Sequence, residues 1–158
     1  MFPAEEQELS RPDAVILIAE DEENDVFLIK RAFRQAQFDN PQRVVQNGED
    51  AIAYLKGDPP FEDRDEFPRP SLVLLDLKMP RKDGFEVLSW IRQTPEFNSL
   101  PVVVLTGSQE SADINRAYAL GANSYLVKPA NFLSLVDMIN RLKEYFRFTS
   151  KNTSSCWV

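Results

Sequence analysis

Five short runs, most of them rich in Val, Ile and Leu, recur along the chain, and segments of helical period separate them. The runs are AVILIA (14–19), RVVQ (43–46), SLVLLD (71–76), PVVVLT (101–106) and NSYLVK (123–128). Strands that are apolar on both faces are typical of a parallel sheet covered by helices on each side. The pattern therefore predicts an α/β fold: a doubly wound, five-stranded parallel sheet.

The segments that follow the strands place apolar residues three and four positions apart, as amphipathic helices do. They predict five helices, in residues 25–37, 49–57, 85–93, 111–122 and 132–146. The stretch GDPPFEDRDEFPRP (57–70) is predicted to be a surface loop stiffened by its prolines, with a recognition element as the alternative. We expect an N-terminal extension in residues 1–12, one domain in 13–148 and a flexible C-terminal tail in 149–158.

Composition excludes several classes of protein. The chain has no histidine, which removes His-dependent catalysis and imidazole metal sites, and its single cysteine, Cys156, cannot form a disulfide framework within the chain. A net charge of −7 disfavours nucleic acid and anionic lipid as partners and favours proteins or small cations. Because the chain shows neither a signal peptide nor a membrane-spanning apolar stretch, we expect a cytoplasmic protein.

Polar residues follow four of the five predicted strands. The first strand is followed by Glu20 and Asp21, the third ends in Asp76, the fourth in Thr106 and the fifth in Lys128. Ligands of doubly wound sheets bind outside the carboxyl ends of the strands. These five side chains are therefore predicted to share one site.

Their chemistry suggests what such a site could bind. Three crowded carboxylates repel one another unless a cation lies between them, and an oxygen-rich site without histidine suits Mg²⁺. Asp76 could then attack a phosphoryl group as a nucleophile, while Thr106 donates a hydrogen bond to one phosphoryl oxygen and Lys128 pairs with another.

In their order along the chain, these motifs resemble the receiver domains of two-component response regulators, over roughly residues 13 to 147. The matching motifs are Glu20-Asp21, Asp76 with Met79-Pro80 and Asp83-Gly84, Leu105-Thr106-Gly107, and Lys128-Pro129. The resemblance implies a flavodoxin-like sheet with strand order 2-1-3-4-5 and a cis peptide bond between Lys128 and Pro129.

The resemblance also implies roles for the site residues. Asp76 would accept a phosphoryl group from a partner sensor histidine kinase. Asp21 and Asp76 would bind Mg²⁺ directly, Glu20 through water, and Lys78 through its backbone carbonyl. The protein would be a signalling phosphoacceptor rather than an enzyme, with at most self-phosphorylation from small phosphodonors and slow autodephosphorylation.

A switch is implied as well. Phosphorylation would draw Thr106 toward the phosphoryl group, and Tyr125 would move into the space that Thr106 leaves. Lys78 and Ser108, each two residues beyond a site residue, would tune the dephosphorylation rate.

A narrower resemblance, carried by Ile18-Ala19-Glu20-Asp21, Glu23-Asn24-Asp25, Ser108 and the 57–70 segment, is to single-domain regulators that partner phytochromes. It implies output through protein contacts and a homodimer that uses the fourth helix, the fifth strand and the fifth helix. Residues expected on this dimer face are Phe132, Leu135, Val136, Ile139, Tyr145 and Phe146.

Three other functions remain open from the residues. An Mg²⁺-dependent phosphatase of the haloacid dehalogenase type would carry a second aspartate where this chain has Lys78. A nucleotide or flavin module would need a glycine-rich loop where the chain reads EDEEND. A phosphorelay intermediate would pass the group from Asp76 to a histidine phosphotransfer protein.

Overall fold

The computed structural model describes residues 13–151, with side chains as far as Tyr145. Five parallel strands form one sheet in the order β2-β1-β3-β4-β5, which confirms the predicted fold. In chain order the elements are β1 (Val15–Ala19), α1 (Glu23–Gln35), β2 (Gln42–Val45), α2 (Gly48–Lys56), β3 (Pro70–Leu75), α3 (Gly84–Gln93), β4 (Val102–Thr106), α4 (Ser111–Ala119), β5 (Ser124–Val127) and α5 (Phe132–Lys151).

The apolar runs are explained by two cores, one on each face of the sheet. Successive side chains of a strand point to opposite faces, so Ile16 and Ile18 pack under α1 and α5, whereas Leu17 packs under α2 and α3. Helix α4 joins the second side, where Ala117 packs near Val104. Full burial of each such aliphatic side chain contributes about 1.5–3 kcal/mol.

Local sequence signals fix the starts of two helices near the carboxyl edge of the sheet. Asp83 accepts a hydrogen bond from the backbone N–H of Glu86, and the Glu86 carboxylate accepts one from the N–H of Asp83, which forms a capping box at α3. Asn47 caps α2 by accepting from the N–H of Asp50 at 2.7 Å. Both caps satisfy backbone N–H groups that would otherwise lack a partner in the first turn of their helix. No helix among residues 13–151 is long and apolar enough to cross a membrane.

The 57–70 segment is held against α2 by an aromatic cluster. Phe61 and Phe67 pack on Tyr54 of α2 with ring centroids 5.2 and 6.0 Å away. Arg64 donates to the carbonyls of Tyr54 and Leu55 at 2.8 and 2.7 Å and so satisfies the end of α2. The segment is therefore fixed by side-chain packing and by the hydrogen bonds of the partly buried Arg64 guanidinium.

Raising the pH above 10 should destabilise the protein, because the buried Tyr54 hydroxyl ionises less readily in the folded state than in the unfolded state. Its side chain is 1% exposed and its hydroxyl donates to the carbonyl of Pro68 at 2.8 Å, and burial raises the pKa of Tyr54 to about 12. Because the folded-state pKa lies above the unfolded value of about 10, this stabilisation is complete below pH 10 and is lost as the pH rises to about 12. The loss should be about 2–3 kcal/mol in the free energy of unfolding.

Denaturant unfolding of Tyr54→Phe across this pH range should show a shallower alkaline decline than the wild type. Tyr118→Phe, at a side chain that is 48% exposed, is the matched control and should keep the wild-type decline. If both variants lose stability as steeply as the wild type does, Tyr54 is not the responsible group.

Candidate functional site

The acidic residues meet because β1 and β3 are neighbours in the sheet. Ala19 pairs with Leu75, and the N–H of Asp76 donates to the Ala19 carbonyl at 3.0 Å. Parallel pairing brings both carboxyl ends to the same edge, where carboxylate oxygens of Glu20, Asp21 and Asp76 lie within 4.8 Å of one another. Glu20 and Asp76 are buried, whereas Asp21 is partly exposed. The structure thus brings the three predicted carboxylates together.

Lys128 reaches the same cluster from the end of β5. Its ammonium donates to Glu20 Oε1, to Asp25 Oδ2 at 3.0 Å and to Asp76 Oδ2 at 3.3 Å. Its backbone N–H donates to the Thr106 carbonyl at 2.8 Å, which fixes the strand end that carries the amine. The lysine is therefore held directly beside the predicted acceptor oxygen.

The expected cis bond before Pro129 is absent, and that prediction is wrong. Within residues 13–151 the cis peptide bond is Pro59–Pro60. The trans isomer is the lower in energy before proline, by about 0.5–1 kcal/mol. Lys128 makes its three carboxylate contacts with that trans bond in place.

The electrostatics of the cluster favour an added cation. Burial raises the pKa of Glu20 to about 7, although its hydrogen bond from Lys128 acts in the opposite direction. Burial lowers the pKa of Lys128, but its bonds to Glu20 and Asp25 and the charge of Asp76 outweigh that effect and raise it overall. With all groups ionised, four carboxylates face one ammonium, which leaves three negative charges. The donor set is all oxygen and fits a hard divalent ion such as Mg²⁺.

A cavity of about 390 Å³ opens beside the cluster, and Asp21, Lys78, Asp83 and Asp113 line it. The Lys78 side chain is exposed, and its backbone N–H lies 3.4 Å from Asp76 Oδ1. The cavity therefore borders the carboxylate cluster at Asp21.

Thr106 and Tyr125 lie on adjacent strands. Thr106 is 1% exposed at the end of β4, and Tyr125 on β5 donates through its hydroxyl to the carbonyl of Ser108 at 3.0 Å. The Ser108 hydroxyl in turn donates to Asp113 at 2.6 Å. Burial is the main cause that raises the pKa of Tyr125, and the carboxylate of Asp113 adds to it. The predicted switch aromatic is therefore hydrogen-bonded to the loop that follows Thr106.

The predicted dimer-face residues separate into two groups. Leu135 and Ile139 are 7% and 0% exposed and pack in the α1/α5 core. The prediction that they lie on a free dimer face is therefore wrong. Their four-residue spacing puts both on the side of α5 that faces the sheet. Phe132 and Val136 are partly buried, and Tyr145 is 49% exposed. Phe146 lies outside the residues whose side chains are described.

Two surface features near these residues were not predicted in detail. Leu133 is 74% exposed, and a groove of about 510 Å³ runs between β5 and α5, lined by Leu126, Met138, Leu142 and Tyr145 among others. The exposed apolar surface of the fifth helix is therefore at Leu133 and Tyr145. Leu142 of the groove also packs in the α1/α5 core, and polar side chains such as Asp137 and Arg141 share the groove lining.

Sequence reasoning assigned no chemical role to Asp25. It lies in the first turn of α1, and its carboxylate contacts Lys128 rather than the nearby Asp21. The position of an acidic residue in the first turn of the helix that follows Glu20-Asp21 is the one sequence signal that could have indicated it.

A 2-1-3-4-5 parallel sheet with an acidic cluster and a lysine at its carboxyl edge defines a class of flavodoxin-like signalling domains. The chain belongs to the response regulator receiver domain family, whose model matches residues 16–140. It is thus a receiver-domain response regulator of two-component signalling, and proteins of this family are signalling proteins.

Three relatives are informative. Response regulator Rcp1 of Synechocystis is 36% identical over 137 residues, 87% of this chain and 91% of Rcp1; its Mn²⁺-bound form superposes with a TM-score of 0.77. RPA3017, in red light signalling of R. palustris, has a TM-score of 0.80 and 38% identity, covering 84% of this chain and 92% of that one. The phosphorylated cyanobacterial phytochrome response regulator RcpA has a TM-score of 0.78 and 34% identity, covering 85% and 94%.

Proposed function

We propose that Asp76 accepts a phosphoryl group from the phosphohistidine of a partner sensor kinase, in a reaction that requires Mg²⁺. The observation that carries the proposal is the position of the Asp76 carboxylate. One of its oxygens lies 3.3 Å from the Lys128 ammonium, and the carboxyl group belongs to the cluster with Glu20 and Asp21.

In the reaction, a carboxylate oxygen of Asp76 forms a bond to phosphorus while the phosphorus–nitrogen bond to the kinase histidine breaks, and the imidazole keeps the electron pair. Lys128 would pair with a phosphoryl oxygen once the Asp76 carboxylate carries the phosphoryl group as an acyl phosphate. Thr106 would donate its hydroxyl to a second phosphoryl oxygen.

Mg²⁺ would be held by Asp21, Asp76 and the carbonyl of Lys78, with Glu20 acting through water. When bound, it supplies neutralisation of the negative charge on the transferring group. Rcp1 has been crystallised with Mn²⁺, which is consistent with a divalent ion in the same kind of site.

We further propose that the kinase is a phytochrome, since RcpA and RPA3017 are described in phytochrome and red light signalling. Output would run from Thr106 through Tyr125 to the loop at Ser108, which its hydroxyl already contacts, and then to a protein partner.

The proposal predicts a Mg²⁺-dependent gain of one phosphoryl group when the protein is incubated with acetyl phosphate. Intact mass should show this gain in the wild type, none without Mg²⁺, and none in Asp76→Asn. Asp83→Asn is the matched control, because that carboxylate caps α3 and lines the cavity but lies outside the three-carboxylate cluster. A gain that persists in Asp76→Asn would place the acceptor elsewhere, and no gain in the wild type would overturn the proposed function.

We propose that the protein also forms a homodimer through α4, β5 and α5. The exposed Leu133 and the groove beside Tyr145 support this face. Light scattering at tens of micromolar should show a dimer that Leu133→Lys weakens about tenfold or more. Phe27→Lys, at a 56% exposed aromatic of α1, should leave it unchanged. Monomer alone, with and without phosphorylation, would contradict the dimer.

A further inference from the structure

The Lys128 ammonium uses all three of its N–H donors on carboxylates. A lysine has three such donors and no acceptor, and the partners here are Glu20, Asp76 and Asp25. Glu20 and Asp76 belong to the three-carboxylate cluster proposed to hold Mg²⁺. Asp25 is the third partner, and it has no assigned role in the reaction proposed above.

Asp25 differs from the other two partners in what it contacts. It lies on α1 rather than at a strand end, and its oxygen is 3.0 Å from the lysine nitrogen, closer than the 3.3 Å of Asp76. It is not among the three carboxylates whose oxygens lie within 4.8 Å of one another. Its contact with the site therefore runs through the amine.

The geometry also restricts how the amine can move. Lys128 sits on a flexible four-carbon stem, and such a side chain keeps one position only when its donors are held from several directions. Glu20 holds the amine from β1, and Asp25 holds it from α1. With those two contacts in place, the remaining N–H points at Asp76.

We propose that Asp25 is a positioning residue that aims the Lys128 ammonium at the phosphoryl group on Asp76. The inference rests on the proposed function. During transfer from acetyl phosphate, the bond from Asp76 to phosphorus forms, the bond from phosphorus to the acetyl oxygen breaks, and acetate leaves with the electron pair. The N–H that faces Asp76 then pairs with a phosphoryl oxygen, while the contacts to Glu20 and Asp25 are kept.

A purely structural or purely repulsive role for Asp25 would predict different results. An acidic residue in the first turn of a helix stabilises the helix through its dipole. In that role, Asp25 would affect unfolding but not the rate of phosphoryl transfer. If Asp25 acted only as one more negative charge that repels the phosphodonor, its removal would speed the reaction.

The test measures phosphoryl incorporation from acetyl phosphate by intact mass as a function of time and of Mg²⁺ concentration. Asp25→Ala removes the acceptor, and at saturating Mg²⁺ it should slow incorporation about tenfold. Asp25→Asn keeps an oxygen acceptor at the same place and should recover most of the rate, to within about threefold of the wild type. The Mg²⁺ concentration for half-maximal rate should stay within about threefold in both variants.

Glu23→Gln is the matched control. Glu23 is an exposed carboxylate in the same first turn of α1, and the described carboxylate partners of Lys128 do not include it. Its rate should stay within twofold of the wild type, and thermal unfolding of all variants reports any purely structural loss.

Three results would overturn the inference: an Asp25→Ala rate within twofold of the wild type, a faster one, or a slow one that saturating Mg²⁺ restores. The last result would mean that Asp25 acts on the metal. Failure of the proposed function is distinguishable, because then the wild type and Glu23→Gln take no phosphoryl group either.

Discussion

Replacing Gly84 by alanine should lower the free energy of unfolding by about 3 kcal/mol or more and should slow phosphoryl incorporation at Asp76 by roughly 100-fold. A β-carbon at this position would lie 2.3 Å from the Asp76 carbonyl oxygen and 2.8 Å from the Cα of Leu77. Both neighbours are backbone atoms, so the end of β3 or the start of α3 must shift. Because the close approach is to the backbone of Asp76, a shift at the end of β3 would also displace the proposed acceptor, and the stability and the rate of incorporation should fall together.

Gly107→Ala is the control for this substitution. Gly107 follows Thr106 at the same edge of the sheet, but a β-carbon there would meet no atom within 4 Å. Its stability should remain within about 0.5 kcal/mol of the wild type. Chemical denaturation and intact mass give both quantities. A Gly84→Ala protein with wild-type stability and rate would show that the 2.3 Å approach relaxes without moving Asp76.

Arg92→Ala should cost about 2–4 kcal/mol of unfolding free energy. Arg92 lies in the last turn of α3. Its guanidinium donates to the carbonyls of Gly121 and Leu100 at 2.9 and 2.8 Å and to the side chain of Asn123 at 2.8 Å. Asn123 also accepts from the N–H of Val102, so this one cation ties α3 to the starts of β4 and β5. Burial lowers the pKa of Arg92, as expected for a cation that is held mainly by neutral oxygens.

Arg92→Lys should recover less than half of this loss, because an ammonium cannot reproduce the fork of the guanidinium. Arg34→Ala, at an exposed position in the last turn of α1, should change the unfolding free energy by no more than about 1 kcal/mol. Equal stabilities of Arg92→Ala and Arg34→Ala would show that the network contributes little.

The strands, and the grouping of the site residues at the carboxyl edge of the sheet, could be predicted from the sequence for one physical reason. Parallel strands buried on both faces need continuous apolar runs, and their carboxyl ends meet at one edge. Glu20, Asp76 and Lys128 could therefore be assigned to one place without coordinates, although more than 50 residues separate each from the next.

The sequence did not predict contacts that depend on the direction of a side chain, because the pattern of apolar and polar residues does not specify tertiary contacts. Arg64 lies in a segment that is acidic and proline-rich in sequence, and nothing local indicates that it turns back onto the end of α2. Leu135 and Ile139 were assigned to the dimer face with other apolar residues of α5, because the resemblance indicates a helix and not which of its sides is free. Only the packing against α1 shows which of them face the core.

The contact between Lys128 and Asp25 spans 103 positions of the chain, and this has a consequence for biosynthesis. A ribosome adds about 5–20 residues per second, so the carboxylates at 20, 21, 25 and 76 emerge seconds before their ammonium does. Until residue 128 arrives, the acidic edge lacks the ammonium that contacts Glu20, Asp25 and Asp76, and the first three strands would have to bring these like charges together without it. The contacts between the ammonium and the carboxylates therefore form only when β5 docks, so a truncated or nascent chain that lacks β5 would hold the carboxylates without their lysine.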